Sequence, residues 1–270
     1  MKNKTIIILN FIGFLFSFVG NTSGINDRHG EDVELDFDEK KHYYTVGGNY
    51  APSVTTILDS IAKPALMPWA VKMGAEWFEA NCESFSNAEL SIKDMVKGIK
   101  GAYRQKSKDA LDIGMAVHKW CEEAILWKLG KGEIPIMPKD ESAVNSISAF
   151  REWIKVNDVE WHTVEEKVYH RGHEYAGTVD ATATVNGEYC VIDFKTSGAI
   201  YAPYHLQCAA YAKAIEDIRG KEIDKSFILR FDKKTGEFEV GSSKELYDNF
   251  IGFLGFLDGY NRLKTLENRR

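Results

Sequence analysis

The chain lacks the cysteine patterns that would build a thiolate metal site or a disulfide framework. Its four cysteines, Cys82, Cys121, Cys190 and Cys208, are widely scattered and form no Cys-x-x-Cys pair. That spacing argues against a zinc site, and no iron–sulfur cluster is expected. Cys121, Cys190 and Cys208 fall in expected regular elements, where a free thiol usually behaves as a small buried hydrophobe. The chain also lacks an excess of positive charge. With a net charge of -6 at pH 7 and an isoelectric point near 5.7, it is not a protein that coats nucleic acid through its overall charge, so any contact with DNA has to come from a local basic patch. No uninterrupted apolar run reaches the roughly 20 residues that usually span a bilayer, so no stable membrane insertion is expected. Internal repeats and low-complexity tracts are absent as well.

What is present begins with a leader. Lys2 and Lys4 precede a largely apolar run from Ile6 to Val19, interrupted by Asn10, and small or polar residues follow to Gly24. This order resembles a secretory signal cleaved after Gly24, and the alternative is an upstream start codon that leaves residues 1–24 outside the functional protein. The first reading implies secretion. The second implies the cytoplasm or another DNA-containing compartment, which the absence of a disulfide framework favours. Residues 25–32 then form a polar, acidic linker. One domain follows from Val33 to Arg270, in which residues 33–157 are mainly helical and residues 158–270 carry the sheet and the C-terminal helices.

Within that domain the patterns predict a hairpin over His42 to Tyr50 turning at Gly47-Gly48, and a helix from the cap Ser53 to Ala62. Further helices are predicted from Met67 into the 80s, over Ala88 to Gln105, over Lys108 to Leu129 and over residues 141–157. Short alternating strands take over at Glu160 to Tyr169, Tyr175 to Val185 and Glu188 to Lys195. Pro203 opens a helix to Ile218, strands follow at Ser226 to Phe231 and Glu237 to Val240, and a helix from Ser243 to Lys264 closes the chain.

The chemistry gathers on one hairpin. Asn186-Gly187 between two strand-like runs is a strong type I′ turn signal, because both central residues need positive φ. Val185 then faces Glu188, Asp180 falls opposite Asp193, and Thr178 falls opposite Lys195. One face carries Thr178, Asp180, Thr182, Asp193 and Lys195, and the other carries Val179, Ala181, Ala183, Val185, Cys190, Ile192 and Phe194, so one side is expected to be core and the other a site. Two carboxylates with Cβ atoms about 5 Å apart repel each other unless a cation or a shared proton lies between them. Such oxygen ligands suit Mg²⁺ or Mn²⁺. Asp-x-Lys alone says little, since Asp38-Glu39-Lys40 and Asp232-Lys233-Lys234 also occur; only Asp193 and Lys195 end an apolar strand with a second aspartate opposite. The plain alternative is a surface aspartate pair neutralised by Lys195.

Other residues extend the cluster. On the Lys108 to Leu129 helix, Ile113, Val117, Cys121 and Ala124 make an apolar stripe, and His118 and Glu122 share a neighbouring face. In the strand from Glu160, alternation of Val164 and Val168 puts Glu166 with the valines and Glu165 on the opposite side, so Glu165 is the preferred site residue. Gln207 and Tyr211, four apart on one helix, share a face.

In chain order, Gly-x-x-x-His at Gly114 to His118, Glu165, Gly-x-x-Asp at Gly177 to Asp180, Ile-Asp-Phe-Lys-Thr at Ile192 to Thr196 and Gln-x-x-x-Tyr at Gln207 to Tyr211 resemble the RecB-like branch of PD-(D/E)XK nucleases. Within it, the chain looks especially like phage exonucleases and the mitochondrial-genome-maintenance type. The resemblance covers about Val33 to Phe231, and five motifs in order are far more specific than one. The iron–sulfur cysteines of some members are missing here. The resemblance implies an α/β fold with a restriction-endonuclease-like core, a mixed central β-sheet flanked by helices, and an N-terminal helical subdomain. It also implies a metal held by Asp180, Asp193 and the Phe194 backbone carbonyl, with His118 as a further ligand and Glu165 ligating directly or through water. Lys195 would orient or help deprotonate the attacking water, and Gln207 and Tyr211 would support the site and contact the strand backbone. The implied activity is a DNA exonuclease working from free ends in repair, recombination or replication, with single-stranded or frayed DNA as partner.

For DNA capture, Lys93, Lys97, Lys100, Arg104, Lys106 and Lys108, interleaved with Tyr103, form a basic stretch that could arch over the site; a solvated helix face is the equally weighted alternative. A structure-specific endonuclease, a secreted nuclease and a catalytically inactive DNA-binding relative are the competing functions.

Overall fold

A computed structural model describes residues 23–26, 29–39, 41 and 43–268. The expected leader, as far as residue 22, and His42 lie outside the described residues. The architecture is mixed α/β, with two mainly antiparallel sheets and six helices among the described residues. None of those helices is long and apolar enough to cross a membrane.

The first sheet is four-stranded: β1 (Ser23–Asn26), β2 (Asp32–Asp38), β3 (Tyr43–Val46) and β4 (Asn49–Ala51), paired in that order. Where a linker and a single hairpin were expected, β1 and β2 extend the hairpin into a sheet, and β1 reaches into the polar stretch 25–32. Val33, Leu35 and Phe37 alternate along β2, and Leu35, Tyr44, Val46 and Ala51 form its small core. That core is completed by Tyr169 and Ala176 of the second sheet, so the N-terminal sheet is braced directly on the sheet that carries the site.

Helices α1 (Val54–Leu58), α2 (Leu66–Ser86), α3 (Ile92–Lys128) and α4 (Glu141–Lys155) follow. As the sequence suggests, Ser53 caps α1, accepting from the Thr56 amide at 3.0 Å; Asp140 likewise caps α4, accepting from the Ala143 amide at 3.0 Å, whereas α2 starts at Ala65 without a side-chain cap. α1 stops at Leu58, short of Ala62. Instead of two helices meeting near residues 105–108, α3 is one helix of 37 residues, about 55 Å long at 1.5 Å per residue. The polar junction contains no breaker, and the side-chain pairs Gln105 to Asp109 and Lys108 to Asp112, at 2.7 and 2.6 Å, bridge it.

The second sheet has the order β5 (Val159–His170), β6 (Tyr175–Val185), β7 (Glu188–Lys195), β8 (Lys225–Phe231), β9 (Phe238–Ser243). Only β7 and β8 are parallel, and helix α5 (Ala202–Arg219) makes the crossover between them. Helix α6 (Leu246–Glu267) closes the chain. Both faces of this sheet are core. On one, Ala181, Ala183, Ile192 and Phe194 pack with Val117 and Cys121 of α3 and Phe150 and Trp153 of α4. On the other, Val179, Tyr189 and Val191 pack with α5 and with Phe253 of α6. The expected division into a core face and a site face is therefore too simple: Val179 packs in the cluster opposite to Ala181 and Ala183, and Thr182 and Asp193 of the expected site face are buried.

Candidate metal centre

The site forms where the β5–β6–β7 ribbon loses its regular pairing. At the β6–β7 turn Asn186 and Gly187 have φ of 51° and 87°, and the register runs from Val185 opposite Glu188 to Ala181 opposite Ile192. The next pair in that register is Asp180 and Asp193. There the Asp180 carboxylate accepts a hydrogen bond from the Phe194 amide at 2.7 Å, so a side chain occupies a place that a strand carbonyl usually fills.

The ribbon turns over at the same level. Val164 pairs with Ala181 and Glu166 with Val179, which leaves Glu165 and Asp180 between them. Val164 packs on the cluster of Ala181 and Phe194, whereas Val168 and Val179 belong to the cluster on α5. A strict two-residue alternation cannot produce this reversal. Glu165, with φ of 49°, is the residue that leaves strand geometry. A non-glycine residue in the left-handed region costs roughly 1–2 kcal/mol, and the result is that its carboxylate faces Asp180 rather than either core. Glu166 turns instead to α5, where its carboxylate binds Arg219 at 2.5 Å. The valine alternation thus singles out Glu165 for a reason the structure does not uphold, since Val164 and Val168 lie in different cores.

The third member arrives on α3. Metal-ligating atoms of His118, Glu165 and Asp180 all lie within 4.8 Å of one another, and His118 Nδ1 is 3.6 Å from Asp180 Oδ2. The imidazole packs edge-on against Phe194 with ring centres 6.0 Å apart. One turn earlier, Gly114 lets the helix approach the end of β7: a Cβ there would lie 3.2 Å from Thr196 Oγ1. The Gly-x-x-x-His spacing therefore has a packing reason.

Asp193 stands apart from this trio. It is 1% exposed, and Lys195 Nζ lies 2.5 Å from its Oδ2, yet neither carboxylate oxygen has a well-aligned donor among the described residues. Burial, only partly offset by Lys195 and reinforced by Asp180, pushes its carboxyl up to about 6. Burial disfavours the Lys195 ammonium, but Asp193 and Asp180 outweigh it and hold the amine above its ordinary value. The ammonium also sits 4.9 Å from the centre of the Tyr204 ring. Glu165 rises to about 8 through burial, then the charges of Asp180 and Glu122. One imidazole nitrogen with two carboxylates, beside the buried Asp193 carboxylate, is a donor set able to hold a divalent cation, its oxygens suiting Mg²⁺ or Mn²⁺ and its imidazole a softer ion. Without a cation, burial first and neighbouring charges second hold Glu165 and Asp193 back from full ionisation.

The outer residues divide. Gln207 Nε2 donates to Tyr211 Oη at 3.4 Å, and the Tyr211 ring covers Gly177, where a Cβ would meet ring carbon Cε1 at 2.5 Å. Tyr44, from the first sheet, was not anticipated. Its hydroxyl bonds Thr178 Oγ1 at 2.7 Å, and burial followed by the Glu165 charge raises its own pKa. Its one sequence signal is alternation with Val46. Lys97, Lys100 and Arg104 are not at the centre: on α3 they precede His118 by roughly 31, 27 and 21 Å at 1.5 Å per residue. With Lys93 they are exposed and have no acidic partner among the described residues. Their spacing of four, three and four continues through Leu111 and Met115 to His118 and Glu122, so they share the helix face of His118. Lys106 points elsewhere, and Lys108 is paired with Asp112.

No protein-family model matches the chain, and no curated protein matches it.

Proposed function

We propose that the chain is a divalent-metal-dependent DNA nuclease whose second sheet and flanking helices form a restriction-endonuclease-like core of the PD-(D/E)XK type. The observation that carries this reading is the convergence of His118, Glu165 and Asp180 within ligand distance beside the buried Asp193–Lys195 pair. Residues remote in sequence meet at the C-terminal end of β7, next to its parallel neighbour, where α/β sheets commonly bind ligands.

His118, Glu165 and Asp180 would hold Mg²⁺ or Mn²⁺, with Asp193 and the Phe194 carbonyl completing the set. Such an ion, when bound, acidifies water and offsets charge on the phosphoryl group. Lys195 remains an ammonium, because Asp193 and Asp180 raise its pKa. Its part is to orient the attacking water and hydrogen-bond the developing phosphorane oxygens rather than to remove a proton. Asp193 positions that ammonium, and Tyr204 limits its swing. Tyr211, Gln207 and Tyr44 fix β6 at Gly177 and Thr178, and so hold Asp180 in place. The exposed row Lys93, Lys97, Lys100 and Arg104 attracts the phosphate backbone along the face that ends at His118.

The resemblance to end-processing exonucleases favours a strand that enters by its end, and we assign an exonuclease of single-stranded or frayed DNA. Digestion of end-labelled linear, nicked and covalently closed circular DNA with Mg²⁺ or Mn²⁺ tests this assignment. Loss of linear DNA with circles left intact is expected; rapid cutting of closed single-stranded circles would show an endonuclease instead.

A further inference from the structure

On the side of α3 turned away from His118 lies a half-open cavity of about 250 Å³. Trp120, two residues from His118 and therefore roughly 200° around the helix, forms one wall with Trp127, and Phe150 and Trp161 are buried beneath. Lys128, Arg151 and Lys155 also line it. Lys155 is held by Glu152 at 2.5 Å and Lys128 lies 5.0 Å from the Trp127 ring centre. Arg151 is exposed with no acidic partner among the described residues. The Trp120 indole N–H is buried without an acceptor among the described residues. In a chain of net charge -6, an aromatic cavity bordered by three cations calls for an anionic ligand with a flat ring.

We infer that this cavity binds a nucleoside monophosphate, with its base against the tryptophans and its phosphate on Arg151 and Lys128. Each half of the ligand answers a different half of the site. Any base can stack its π face on an aromatic side chain, and the guanidinium matches phosphate in a two-pronged geometry. The volume is below the roughly 300–1,000 Å³ of pockets that enclose a whole ligand, which suits an inserted base with ribose and phosphate at the mouth. A bare phosphate would leave the aromatic wall empty, and an uncharged aromatic would leave Arg151 unpaired. The inference stands apart from the nuclease assignment, although a nucleoside monophosphate is also what an exonuclease releases.

The test is calorimetric titration of the full chain with dAMP in EDTA, followed in parallel by tryptophan fluorescence. Saturable binding at one site is expected, weakened by about 10-fold or more in Arg151→Ala and unchanged in Asp193→Asn. Deoxyadenosine and inorganic phosphate should each bind far more weakly than dAMP. Arg151 is on the surface, so circular dichroism should show its variant folded. Absence of saturable binding up to about 5 mM dAMP overturns the inference. So does equal affinity for phosphate alone or deoxyadenosine alone, or binding lost in Asp193→Asn but retained in Arg151→Ala.

Discussion

Glu165 occupies a conformation that β-strand residues avoid, and its carboxyl is raised to about 8 by burial and by Asp180 and Glu122. An acid whose folded pKa exceeds its unfolded value contributes stability that is complete below the unfolded pKa and is lost as pH rises through the folded one. The window here runs from the ordinary 4.5 to about 8. Glu165 should therefore cost the metal-free protein stability across that range, this one group contributing no more than about 1.4 kcal/mol per pH unit, and Asp193 should steepen the loss below about pH 6. Glu165→Gln should flatten this slope in urea melts, and millimolar Mn²⁺ should flatten it in the wild type; a slope indifferent to both would contradict the cluster. The neighbouring carboxylate separates the two roles. Glu166→Gln disturbs an ion pair with Arg219, so it should lower the melting temperature slightly while metal still raises it. Glu165→Gln should abolish most of the metal-induced rise. Equal behaviour of the two variants would mean that the turned-over ribbon has been misread.

At the scale of elements, the turn-over depends on close packing around β6. Gly177→Ala drives a methyl into the Tyr211 ring, and because Tyr211 is 3% exposed the ring has little room to retreat. A loss of about 1–3 kcal/mol in denaturant midpoint analysis is expected, against a gain of roughly 0.5–1 kcal/mol for Gly255→Ala, inside α6, where a Cβ meets nothing within 4 Å. α3 makes a separable contribution. Reversing charge at Lys97, Lys100 and Arg104 should raise KM and reduce the salt dependence of binding, leaving the rate on bound DNA nearly intact; an unaltered salt slope would return this row to a solvated helix face. Elements differed in how far sequence exposed them. β6 and β7 were legible to the residue, since the Asn186-Gly187 turn and the alternating run around Ile192 agree. Lys106-Ser107-Lys108 shows no apolar period, so the pattern divides α3 in two although nothing there breaks a helix. The first sheet was reduced to one hairpin because the charged residues of β2 obscure the alternation of Val33, Leu35 and Phe37.

Across the whole molecule, the site draws on both halves of the chain. α3 brings His118, the second sheet brings the carboxylates and Lys195, and the first sheet brings Tyr44. Sequence could name residues that share a strand or helix face, because a period relates them. It could not place Tyr44 beside Thr178, 134 positions away, nor separate Asp193 from the His118 trio, because those relations depend on how elements pack. The central claim is that this assembly hydrolyses DNA with a divalent metal. Its most direct measurement is a time course on an end-labelled single-stranded oligonucleotide with Mn²⁺, comparing wild type with Asp193→Ala and Lys195→Ala, both verified as folded by circular dichroism. The account predicts progressive shortening by the wild type, abolished by EDTA and reduced at least about 100-fold in each variant; full activity in either folded variant would contradict it.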